Sequence, residues 1–133
     1  MTTLTKPTFV IDSSALVAHL LHEPQNNAKI TSSINAFYLN HANFIAPTLL
    51  AFEIGNVLKS CAKAKRLSTS EVKKLFAHFL KLPIKYVAID FNKVLQSSLL
   101  HNLSYYDAAY YVLHQSTDHP LLTLDKKLLD LIK

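Results

Sequence analysis

Apolar and polar positions along this chain follow two alternating rhythms. Short continuous apolar runs are bounded by polar residues, and between them lie longer stretches in which apolar residues recur every three or four positions. The first rhythm is that of a buried strand, the second that of a helix packed on one side. Thr8-Phe9-Val10-Ile11 reads as a strand ending at Asp12, after which Ser13 or Ser14 starts a helix carrying Ala15, Leu16, Val17, Leu20 and Leu21. Pro24 fits the first turn of a second helix, with Ala28, Ile30, Ile34 and Phe37 on its apolar side. Asn43-Phe44-Ile45-Ala46 is a second strand. Pro47-Thr48 then opens a long helix to about Lys65, with Leu50, Ile54, Val57, Leu58 and Cys61 in phase.

Ser68-Thr69-Ser70-Glu71 has the spacing of a capping box and begins a helix that buries Val72, Leu75, Phe76 and Phe79. Beyond Pro83, Ile84 to Ile89 reads as a third strand, and Asp90 caps a helix with Val94, Leu95 and Leu99 inside. Ser104 starts another helix, rich in Ala and Tyr, which His119-Pro120 breaks. Leu121-Leu122-Thr123-Leu124 is a fourth strand, and Asp125 opens a final short helix. Strands separated by helices predict an α/β fold with a parallel sheet and helices on its faces. In such sheets ligands bind beyond the carboxyl ends of the strands. Asp12 and Asp125 both follow strand runs directly at that end.

Composition narrows the picture. The 133 residues suit one domain over residues 1–133, with no linker, repeat or low-complexity tract. Half the residues are apolar and few are charged, which excludes a disordered chain. A single glycine, Gly55, argues against a fold built on tight hairpins. The lone cysteine, Cys61, excludes an internal disulfide and a cysteine-rich zinc site, and its apolar setting predicts a core position. The short polar stretch Met1 to Pro7 and the lack of a long apolar run predict no signal peptide, no membrane span and a cytoplasmic protein. Fourteen Lys and Arg against nine Asp and Glu are compatible with a polyanionic partner such as nucleic acid, and equally with plain solubility.

The chemistry lies in four of the nine acids: Asp12, Glu53, Asp107 and Asp125. Asp12 and Asp125 have an alternative role as helix N-caps, and Asp107 stands at capping-box spacing from Ser104. Glu53 has no such role. It lies in mid-helix with Leu49, Leu50, Asn56 and Val57 around it, where an ionised carboxylate needs a metal or a buried salt bridge to a Lys. Gathered carboxylates repel one another, and a divalent cation resolves the conflict. Mg²⁺ takes oxygen ligands and keeps several waters, so a few carboxylates anchor it. No compact Cys/His cluster favours zinc, and His19 and His22 read as surface residues.

Four stretches in this order resemble the PIN-domain family, most closely its VapC-type toxins: Val10-Ile11-Asp12-Ser13-Ser14-Ala15, Phe52-Glu53-Ile54-Gly55-Asn56-Val57-Leu58, Leu103-Ser104-Tyr105-Tyr106-Asp107-Ala108-Ala109-Tyr110 and Leu122-Thr123-Leu124-Asp125-Lys126-Lys127-Leu128. The first motif departs slightly, with Ser13 where many members carry Thr. The resemblance implies a three-layer α/β/α sandwich around a central parallel sheet of about four to five short strands. It implies Mg²⁺ or Mn²⁺ held by Asp12, Glu53, Asp107 and Asp125, and endonuclease activity on RNA, often tRNA. It further implies a homodimer, and an inhibitory antitoxin protein as partner. In the mechanism this suggests, the metal polarises the phosphate and activates a water. Asp12 and Asp107 would touch it directly, while Glu53 and Asp125 would hold its waters or a second ion. Ser14 and Thr123 fit supporting hydroxyl positions, Asn56 fits either a bond to the site or an ordinary helix face, and Lys126 and Lys59 are candidates for phosphate contact or plain surface cations.

Three other readings fit parts of the pattern. A non-catalytic PIN-like module that binds RNA or protein would need no acidic quartet. A stand-alone metal-dependent nuclease without antitoxin, or a phosphatase or nuclease acting on DNA, would share it. A receiver domain would place paired acids after its first strand, where Asp12 stands alone.

Overall fold

The computed structural model describes residues 5–133, so Met1 to Leu4 of the expected polar N-terminal stretch lie outside the described residues. The element order is β1 (Thr8–Ile11), α1 (Ser13–Leu20), α2 (Ala28–Tyr38), β2 (Asn43–Ala46), α3 (Leu49–Lys63), α4 (Thr69–Lys81), β3 (Lys85–Tyr86), α5 (Phe91–His101), α6 (Tyr105–Thr117), β4 (Leu121–Leu122) and α7 (Lys126–Leu131). The four strands form one parallel sheet in the order β3-β2-β1-β4.

Side-chain alternation along the strands builds the layers. Ile11, Phe44, Ala46 and Leu122 point to one face, where they pack against α1, α2, α3 and α4. Val10, Ile45 and Leu121 point to the other, where Val94, Tyr110, Leu113 and Leu128 of α5, α6 and α7 cover them. The sheet is therefore buried on both sides, which is why its strands read as unbroken apolar runs. This is the α/β sandwich with a central parallel sheet that the sequence pattern predicts.

Topology creates the crevice. The chain steps from β1 to β2 to β3 through helices on one face, then crosses to β4, on the far side of β1, through helices on the other. The strand order thus reverses between β1 and β4, and the helices that follow them, α1 and α7, run to opposite faces of the sheet.

Several boundaries differ from the sequence expectation. The second helix starts at Ala28, not at Pro24, because Asn27 caps it by accepting from the Ile30 N–H at 3.1 Å. The third strand spans only Lys85–Tyr86, since it lies at the sheet edge and pairs with β2 alone. The fourth stops at Leu122, where Thr123 turns its hydroxyl to other work. The long helix ends at Lys63, and Lys65 takes the left-handed backbone region that ends such helices. His19 is not a plain surface residue: it is half-buried, with its ring 5.0 Å from that of Tyr38, whose hydroxyl is 2.8 Å from Nε2 of His78. Cys61 is buried, as expected. The capping box at Ser68 and Glu71 forms in full.

Candidate functional site

Asp12 stands at the end of β1, and its backbone N–H donates to the Leu122 carbonyl at 3.0 Å, extending the β1–β4 pairing by one residue. It occupies the N-cap position of α1, yet its side chain makes no cap hydrogen bond. The carboxylate turns instead toward β4. Oδ2 accepts from the Thr123 hydroxyl at 2.7 Å and from the Ser14 hydroxyl at 2.8 Å. Each hydroxyl is itself fixed, because Ser14 Oγ accepts from the Leu124 N–H at 2.9 Å and Thr123 Oγ1 from the Asp125 N–H at 3.0 Å. A hydroxyl has one proton. With both protons on Asp12, the 3.3 Å separation of the two hydroxyl oxygens is an approach enforced by the shared acceptor.

Asp12 is 3 % exposed. Burial raises its pKa, the two hydroxyls oppose the rise, and the negative charge of Asp107 adds to it. Among the described residues the one ion pair joins Lys133 to Asp130, and none involves any of the four acids.

Glu53 comes from the middle of α3. The lysine partner considered from sequence is absent. Tyr110 of α6 donates its hydroxyl to Oε1 at 2.6 Å, and the Ser13 hydroxyl also favours the charged form. Burial nevertheless pushes Glu53 upward, and the charges of Asp12 and Asp107 push the same way. Tyr110 is fully buried, and its own pKa is driven strongly upward by burial and then by Glu53. It is a residue of this cluster that sequence reasoning missed. The sequence sets Tyr110 one helical turn beyond Asp107, on the same face, and nothing local pairs it with Glu53.

Asp107 sits in the first turn of α6 beside the cap residue Ser104, whose Oγ accepts from the Asp107 N–H at 3.0 Å. Ala108 and Ala109, both buried, let the sheet and its neighbours approach closely here. Burial raises the Asp107 pKa, the charge of Asp125 raises it further, and Lys127 lowers it. Lys127 is thus a cation beside Asp107 that the sequence reading did not single out. Its ammonium also donates to the Asn102 carbonyl at 3.1 Å. Asp125 does cap α7, with Oδ2 accepting from the Leu128 N–H at 3.0 Å. Asn56 is exposed on α3.

All four acids are thus linked by their mutual repulsion: Asp12 with Asp107, Glu53 with both, and Asp107 with Asp125. Among the described residues no three His, Cys, Asp or Glu side chains converge tightly enough to hold an ion unaided. The donor set still suits Mg²⁺ or Mn²⁺. Every donor is a hard oxygen, and Mg²⁺ is held by one or two carboxylates with waters and substrate phosphates making up its octahedron. On Asp12, both hydroxyls fall on Oδ2, so Oδ1 faces neither of them.

A parallel α/β/α sandwich with carboxylates gathered at its switch point is the class that fold and geometry define. The family model for the PIN domain matches residues 9–133. The chain therefore belongs to the PIN-domain family, whose members are in general nucleases that use divalent metal ions. Among solved structures, PAE2754 from Pyrobaculum aerophilum is similar over 93% of this chain and 78% of its own, with a TM-score of 0.73 and 22% identity. That is a likeness of fold. No curated protein matches the chain. Among the described residues no helix is long and apolar enough to cross a membrane.

Proposed function

We propose that this chain is a Mg²⁺- or Mn²⁺-dependent endoribonuclease and the toxin of a toxin–antitoxin pair, with Asp12, Glu53, Asp107 and Asp125 as its site. One observation supports the reading above others. Asp12, Glu53 and Asp107, from three separate elements, are buried carboxylates that keep their protons to higher pH, Asp125 acts on Asp107 from a fourth, and among the described residues none of the four forms an ion pair. A fold tolerates that cost where a cation is to be bound. A binding module for polyanions gains nothing from it.

Bound there, the ion would offset phosphate charge and lower the pKa of a coordinated water. The chain's own groups divide the remaining work. Asp12, fixed through Oδ2 by Ser14 and Thr123, is the most rigid of the four and presents its other oxygen. Asp107, in the first turn of α6, would be the other direct ligand, and Glu53 and Asp125 would hold the ion's waters. Lys127 adds a positive field beside Asp107 suited to an RNA phosphate.

Purified protein is expected to cleave RNA, tRNA included, with Mg²⁺ or Mn²⁺ and to stop on EDTA, and Asp12→Asn or Asp107→Asn to abolish cleavage with the fold intact. Full activity in either variant would sink the site. Equal cleavage of DNA would shift the reading to a general nuclease. Expression in bacterial cells tests the toxin role: the native chain arrests growth and Asp12→Asn does not. Harmless expression of an active nuclease would leave a stand-alone enzyme without antitoxin.

A further inference from the structure

We propose that Tyr110 is a positioning residue for Glu53, holding one carboxylate oxygen so that the other faces the space between the acids. The inference rests on the reading of Glu53 as a metal-site carboxylate. Three observations carry it.

The first is the bond. At 2.6 Å, the Tyr110 hydroxyl to Glu53 Oε1 contact has the length of a charge-assisted O–H···O⁻ bond. The second is rigidity. Tyr110 is completely buried, within the core that α5, α6 and α7 form over the sheet. Glu53 is only half-buried, a flexible side chain on α3. The rigid partner therefore sets the position of the loose one. The third is placement. Glu53 belongs to the helical layer on one face of the sheet and Tyr110 to the layer on the other. Their bond closes over the carboxyl ends of the strands and links the two layers at the acids. Ser13, directly after Asp12, adds a second hydroxyl beside the same pair. Tyr110 thus engages one Glu53 oxygen, Oε1, as Ser14 and Thr123 engage one oxygen of Asp12. Partners of this kind alter metal affinity by about 10- to 100-fold when removed.

The test is a double-mutant cycle read as Mn²⁺ affinity on the full chain, with unfolding temperature followed in parallel. Tyr110→Phe is expected to weaken Mn²⁺ binding about tenfold, and Glu53→Gln to weaken it at least as much. Adding Tyr110→Phe to Glu53→Gln should change affinity no further, because the tyrosine acts through the glutamate. A folded Tyr110→Phe with native Mn²⁺ affinity overturns the proposal, as does an equal loss in both backgrounds. Absence of Mn²⁺ binding by the native chain overturns the metal reading and takes this inference with it, so the two failures are distinct. A second measurement needs no variant. The buried hydroxyl proton shared by Tyr110 and Glu53 should give a downfield resonance that shifts when Mg²⁺ saturates the native protein, and a resonance unmoved by saturation refutes the role.

Discussion

At the scale of single residues, the acids act against the fold they belong to. Asp12, Glu53 and Asp107 all keep their protons to higher pH in the folded chain than in the unfolded one, chiefly through burial. Over that window the native state binds more protons, so their contribution to stability falls as pH rises. Asp12→Asn removes the most buried of these charges and should stabilise the metal-free protein at neutral pH by about 1 to 3 kcal/mol. Thermal unfolding in EDTA tests this, and the gap over the native chain should widen from pH 4 to pH 7. A variant no more stable than the native chain would show that the hydroxyls already offset the charge. Thr123→Val makes the reverse case. It keeps the shape and deletes the 2.7 Å donor, leaving a buried carboxylate short of a partner. It should lose about 1 to 3 kcal/mol of stability and about tenfold in Mn²⁺ affinity, measured by denaturation and by metal titration.

At the scale of elements, some caps serve structure alone, while Asp125 both caps a helix and belongs to the proposed site. Ser68 and Glu71 begin α4 with a reciprocal box, at 3.0 Å in both directions, remote in sequence from the acids. Ser68→Ala should therefore cost about 1 kcal/mol of stability with no loss of metal binding, as chemical denaturation and titration would show. Asp90 and Asp125 are caps by the same local rule. That rule was legible in the sequence, because a cap involves residues within one turn of each other. It failed for Asp12. The local options at that position included a cap, and a partner 111 residues away outcompeted it. Glu53 failed in the opposite sense. Its burial was legible from the apolar residues around it, while its partner Tyr110, 57 residues on, was not.

At the scale of the molecule, α5 leaves an apolar stripe uncovered. Of the residues expected inside this helix only Val94 is buried; Leu95 and Leu99 instead lie with Phe91 on one exposed flank, every four residues, and Phe91 and Leu99 are 73% and 75% exposed. Surface patches of this kind mark association sites. A homodimer, if formed here, would pair α5 with itself about a two-fold axis and lay stripe on stripe. Three large side chains supply the apolar centre of the roughly 800 Å² that each partner contributes to a stable interface. Leu99→Glu should then convert a dimer to a monomer in light scattering while leaving the unfolding temperature of the monomer intact. A native chain that is monomeric at high concentration would refute the homodimer.

The sequence by itself determined the element order and the parallel sheet, because helix and strand periods and caps are properties of neighbouring residues. Tertiary structure alone decided which acids are held, and by what. Strand order β3-β2-β1-β4 brings Thr123 beside Asp12, and the closing of the α3 and α6 layers on the two faces of that sheet lets Tyr110 reach Glu53. Those partners are distant in sequence, and no local pattern encodes a hydrogen bond that exists only once two layers have closed on one sheet.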